Sequence, residues 1–98
     1  MEIQVKHQLN KDEVKKRLLN LADELKKKYG DQLKNYSEQW NGNKVDIAFK
    51  MMGFNINGIL EILDDKVVMS GKVPMMLKAF QSQVEDAIYD TLNNLLKK

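Results

Sequence analysis

The chain has 98 residues, 43% apolar and 31% charged, with sixteen basic and fourteen acidic side chains and a formal net charge of +2. This is an ordinary composition for a globular protein with one modest core, and the interspersed charges call for no anionic partner. The absence of cysteine excludes disulfides, thiolate chemistry and cysteine-based zinc sites, and no run of apolar residues is long enough to cross a membrane as a helix.

Residues Glu2 to Lys6 alternate, with Ile3 and Val5 on one side and Glu2, Gln4 and Lys6 on the other, which predicts a short half-buried strand. His7 follows. Asn10, with Glu13 three residues on, approximates a capping box. Val14, Leu18, Leu21, Leu25 and Tyr29 then step by four, three, four and four, the spacing of one amphipathic helix over residues 11–29. Gly30 suits a left-handed stop, and Lys26 to Lys28 complement the macrodipole of the last turn.

Residues 31–33 read as a loop and residues 34–40 as a strand that is polar apart from Tyr36 and Trp40, so the face taken by Trp40 depends on a register that periodicity does not fix. Asn41-Gly42 is the strongest hairpin signal in the chain and predicts a type I′ turn. Val45, Ile47, Phe49 and Met51 alternate with Lys44, Asp46, Ala48 and Lys50. After a turn at Gly53, Phe54, Ile56, Gly58, Leu60 and Ile62 share a face. Asp64-Asp65 turns the chain again, and Val67, Met69, Gly71 and Val73 alternate with Lys66, Val68, Ser70 and Lys72. From Val73 to Lys98 the pattern predicts one long helix, with Pro74 in its first turn and an apolar stripe of Leu77, Phe80, Val84, Ala87, Ile88, Thr91, Leu92, Leu95 and Leu96.

The order is therefore β-α-β-β-β-β-α. Hairpin connections imply an antiparallel sheet, and two apolar helical stripes must cover one of its faces, giving a single α+β domain over residues 1–98. The other sheet face is mostly polar but is broken by Ala48, Met52, Ile59 and Val68, a candidate sheet-to-sheet contact for a homodimer.

No catalytic, cofactor or metal motif is present. His7 is the only histidine, so any imidazole relay must use it; beside its structural reading stands ligand contact or general-base chemistry. Asp64 and Asp65 are adjacent, point apart across a turn and make no paired-carboxylate site. Nucleic-acid binding is not expected, because acidic residues dilute the lysines of the first helix and no aromatic residues are interleaved with them. Methionine is abundant, and thioethers fill irregular cores or line adaptable apolar surfaces. Met75 and Met76 are adjacent on a predicted helix, so both cannot enter one core; with His7 and Trp40 they are the candidate binding surface.

The order of landmarks carries a resemblance. I-Q-V-K-H-Q-L-N-K-D-E-V-K-K-R-L opens the chain and L-A-D-E-L-K-K-K-Y-G closes the first helix. Trp40, N-G-N-K-V-D-I-A-F, G-F-N-I-N-G-I-L-E-I, D-D-K-V and L-K-A-F-Q-S-Q-V-E-D-A-I follow. Over nearly its whole length this resembles the small polyhydroxyalkanoic acid system proteins, encoded near bacterial polyester-granule genes. The resemblance departs at Met51-Met52 and in a longer polar loop before Trp40. It implies a bacterial, cytoplasmic, non-enzymatic accessory protein whose partner is a polyester granule surface or its proteins, and it carries over no catalytic residue. The outline is also similar to a reduced helix-grip fold, which leaves a second expectation: a carrier of an apolar lipid or acyl ligand between sheet and final helix.

Overall fold

A computed structural model describes residues 1–51, 53–72 and 74–98. The parts assigned to Met52 and Val73 lie outside the described residues. The elements are β1 (Glu2–Lys6), α1 (Lys11–Leu18), α2 (Leu21–Tyr29), a 3-10 turn (Gly30–Gln32), β2 (Leu33–Asn41), β3 (Lys44–Met51), β4 (Phe54–Ile62), β5 (Lys66–Lys72), a 3-10 segment (Met75–Phe80) and α3 (Gln81–Leu95). The five strands form one antiparallel sheet in the order β1-β5-β4-β3-β2. Strands β2 to β5 are a meander, and β1 closes onto β5, with Ile3 opposite Met69 and Val5 opposite Val67.

The predicted alternation places the core. Val45, Ile47, Phe49, Met51, Ile56, Leu60, Ile62, Val67 and Met69 are buried on one sheet face, and Val14, Leu18, Leu21, Leu25, Leu77, Val84, Ile88, Leu92 and Leu96 cover them from the helices. Burial of each such side chain contributes about 1.5–3 kcal/mol. The uncovered face carries the largest of the described depressions, an open trough of about 920 Å³ lined by Ser37, Gln39, Asp46, Ala48, Asn57 and Ile59 among others.

Four details differ from the periodicities. The helix expected over residues 11–29 is broken at Leu19-Asn20, where Asn20 N–H bonds back to Arg17 rather than one residue further. Asparagine competes poorly for a helix interior, and the break leaves Leu19 57% exposed. The hairpin after β2 is present, but its two-residue loop is Gly42-Asn43, because Asn41 already pairs with Lys44. Only Gly42 of the two has a positive φ (63°), the sense of a type II′ turn with glycine first.

Strand β2 carries a bulge. Lys34 faces Lys50 and Ser37 faces Ala48, so Asn35 and Tyr36 together oppose Phe49. Asn35 absorbs the extra residue with φ 56°, a left-handed conformation that asparagine tolerates. The bulge flips the parity of the strand: Leu33 and then Tyr36, Glu38 and Trp40 share the helix-covered side, although they do not alternate in sequence. Finally, the helix expected over residues 73–98 is two pieces. Pro74 (φ −53°, ψ 142°) stands before the 3-10 segment, and the chain turns at Phe80 (φ −110°, ψ 9°) before α3 starts. A 3-10 rise of about 2.0 Å per residue, against about 1.5 Å in an α-helix, carries the chain further from the end of β5 before α3 begins.

Candidate interaction surface

The 3-10 segment Met75–Phe80 projects from the end of β5 and is held to the core by one side chain, Leu77, which is 1% exposed. Around that anchor Met75 is 82% exposed, Met76 79% and Phe80 47%. A six-residue 3-10 run is longer than the three or four residues usual for that geometry, so little beyond Leu77 fixes its conformation. Phe80 is a correction: the stripe of residues 77–96 assigns it to the core. Residues 75–80 are 3-10 rather than α-helical, with three residues per turn, so the 3.6-residue stripe of α3 does not carry through them to Phe80.

His7 is buried, 7% exposed, just beyond β1. Its Nδ1 accepts the Leu9 backbone N–H at 3.1 Å, which puts the ring proton on Nε2, 3.0 Å from the Leu63 carbonyl oxygen it donates to. The His7 backbone N–H bonds to Asp65 O at 2.9 Å. The bonds to Leu63 and Asp65 tie the start of the α1 connection to the β4–β5 turn, and the Leu9 bond orders the connection itself. Both ring nitrogens thereby carry hydrogen bonds within the chain.

Trp40 pairs with Val45 and so lies on the helix-covered side, half-buried against the core. Lys15 Nζ sits 5.4 Å from its ring centroid and donates to the Gly42 carbonyl at 3.1 Å. The indole N–H is buried without a hydrogen-bond partner among the described residues. On the same strand Tyr36 stacks on Phe49, with centroids 6.3 Å apart, and its hydroxyl donates to Glu38 at 3.1 Å. Burial, and then the charge and hydrogen bond of Glu38, hold the Tyr36 phenol well above its ordinary range.

The four residues picked out by sequence do not converge. His7 follows β1 at one edge of the sheet, and Trp40 is in β2 at the other. Both lie toward the end bearing the β2–β3 and β4–β5 turns, whereas Met75 and Met76 leave from the end where β5 stops, at the level of the β3–β4 turn. Met75, Met76 and Phe80 thus form the one apolar protrusion of the candidate set. Arg17, the single arginine, was not singled out by sequence: its Nη1 donates to the carbonyl oxygens of Leu95 (3.2 Å) and Lys97, closing the C-terminal end of α3, while Nε pairs with Glu13 at 3.2 Å. Only a tertiary contact reveals that role.

Among the described residues no three His, Asp or Glu side chains are grouped to hold a metal ion, and no helix is long and apolar enough to cross a membrane. A family model described as "Putative polyhydroxyalkanoic acid system protein" matches residues 1–96. No curated protein and no solved structure matches the chain.

Proposed function

The chain belongs to the polyhydroxyalkanoic acid system protein family, and from that premise we propose that it is a non-enzymatic accessory protein, acting as one domain over residues 1–98, that docks on the apolar surface of a polyester granule through Met75, Met76 and Phe80. The observation carrying this reading is the exposure of two adjacent methionines, 82% and 79%, on a segment whose only buried residue is Leu77. Large apolar side chains held out in water cost the free protein solvation and regain it when an apolar phase covers them. Methionine adapts to an amorphous surface that offers no fixed pockets, because its thioether chain has low rotational barriers. The occupied nitrogens of His7 favour the non-enzymatic reading. The carrier reading has less support, since the described depressions open on the outside of the molecule while the sheet–helix interface is filled by side chains.

The test is co-sedimentation of the purified protein with polyhydroxyalkanoate particles. Wild type binds, and M75S/M76S loses roughly a hundredfold in affinity, the equivalent of about 3 kcal/mol for two partly inserted side chains. Equal binding by wild type and M75S/M76S overturns the assignment of the surface, and no binding by wild type overturns direct docking.

A further inference from the structure

A polyester surface is uncharged, yet the apolar protrusion sits in a field of unpaired lysines, and that needs its own explanation. Between Asp65 and Glu85 the sequence contains no acidic residue, while Lys72 and Lys78 flank the methionines. The sheet brings two more lysines to the same end. Lys34 and Lys50 are direct cross-strand partners in β2 and β3, two rows from Lys72 on the uncovered face. Like charges opposed in this way destabilise a sheet. The described ion pairs use Lys11, Arg17, Lys27 and Lys44, and none of these four lysines.

Carboxylates at this end include Asp31, lining the depression that Lys34 and Lys50 share, Glu2, opposite Ser70, and Glu85, which accepts from Gln81 in the first turn of α3. The ammonium of Met1 is there too, bonded to the Gly71 carbonyl at 3.0 Å, and Lys26 lines a depression with Lys34. The second opposed lysine pair, Lys6 and Lys66, is at the far end and is treated differently: Lys66 donates to Gln4 at 3.3 Å, and Asp64 and Asp65 occupy the adjoining turn.

Resting on the docking surface assigned above, we propose that the layer it meets is an anionic phospholipid film, with Met75, Met76 and Phe80 in the acyl region and Lys34, Lys50, Lys72 and Lys78 among the phosphate headgroups. The layout is that of an interfacial element: an apolar wedge to enter the acyl boundary and lysine stems long enough to lie along it with their ammonium groups in the headgroup layer. Each lysine near an anionic leaflet is worth about 1 kcal/mol, hence roughly fivefold in affinity. The opposed pair Lys34–Lys50 loses its mutual repulsion when phosphates come between them.

The experiment measures binding to vesicles of pure phosphatidylcholine, to vesicles containing phosphatidylglycerol, and to lipid-free polyhydroxyalkanoate particles. Phosphatidylglycerol vesicles bind, and phosphatidylcholine vesicles bind at least tenfold more weakly. K50Q, K72Q and K78Q each lose about fivefold on the anionic vesicles, additively, and added salt weakens wild-type binding. K16Q, an exposed lysine of α1, serves as control and binds as wild type does. M75S/M76S loses binding on every apolar surface. Equal affinity for both vesicle types, or no loss in the lysine variants, overturns the inference. Binding to lipid-free particles without binding to anionic vesicles overturns it too but leaves the granule reading standing; binding to neither removes both.

Discussion

His7→Ala tests whether the single histidine is a structural tie. The substitution removes the Nε2 donor to Leu63 O and the Nδ1 acceptor for Leu9 N–H, together with a ring that is 7% exposed. Each hydrogen bond is worth about 1 kcal/mol net, and loss of the packed ring adds roughly another, giving about 3 kcal/mol. For a chain of this size that corresponds to a fall in Tm of roughly 12–24 °C. His7→Asn separates the two bonds. Its Oδ1 can replace Nδ1 as acceptor for Leu9 N–H, whereas its side chain is too short to reach Leu63 O, so it retains about half of the lost stability. Urea unfolding followed by the fluorescence of Trp40, the only tryptophan, reads both variants. A His7→Ala protein within about 1 kcal/mol of wild type at unchanged m-value, or a His7→Asn protein as damaged as His7→Ala, refutes the reasoning.

Three further outcomes are expected. Gly71→Ala destabilises by about 3 kcal/mol, because its Cβ overlaps the Asn57 carbonyl oxygen in the backbone of β4, whereas Gly58→Ala costs less, its Cβ meeting the movable Met69 Cε at 2.7 Å; comparable losses in denaturant unfolding would contradict the contact geometry. Arg17→Gln loses about 1–2 kcal/mol and speeds amide exchange over the last turn of α3, while exchange at β3 and β4 is unchanged. Tyr36, held above its ordinary value of about 10 by burial and then Glu38, contributes stability that is complete below about pH 10 and is lost as pH rises through its folded value; the margin of wild type over Tyr36→Phe therefore shrinks in alkaline urea titrations, and parallel curves would count against it.

The sequence by itself determined the class of fold. Period-two alternation in β1, β3, β4 and β5 and the apolar stripes of residues 14–29 and 77–96 mark most of the side chains that leave water, since the apolar faces of sheet and helices must cover one another. Asn10 also announced its cap, and its Oδ1 accepts the Glu13 N–H at 2.8 Å. The parity of β2 was not legible, because a bulge adds a residue without marking the pattern, and only pairing with β3 decides that Trp40 faces the helices. The adjacency of Met75 and Met76 required at least one to be exposed; that both are, and Phe80 with them, goes with the 3-10 winding of residues 75–80 around the single anchor Leu77, a backbone choice that side-chain periodicity does not encode.

Charge shows the same division. Read along the chain, lysines and acids alternate and the net charge of +2 singles out no surface. Strand pairing then sets Lys34 against Lys50, and the end of β5 delivers Lys72 and Lys78 beside the methionines. Hydrophobic patterning is local and survives in one dimension. An electrostatic field is a sum over space, and it takes shape only when the sheet brings distant residues together.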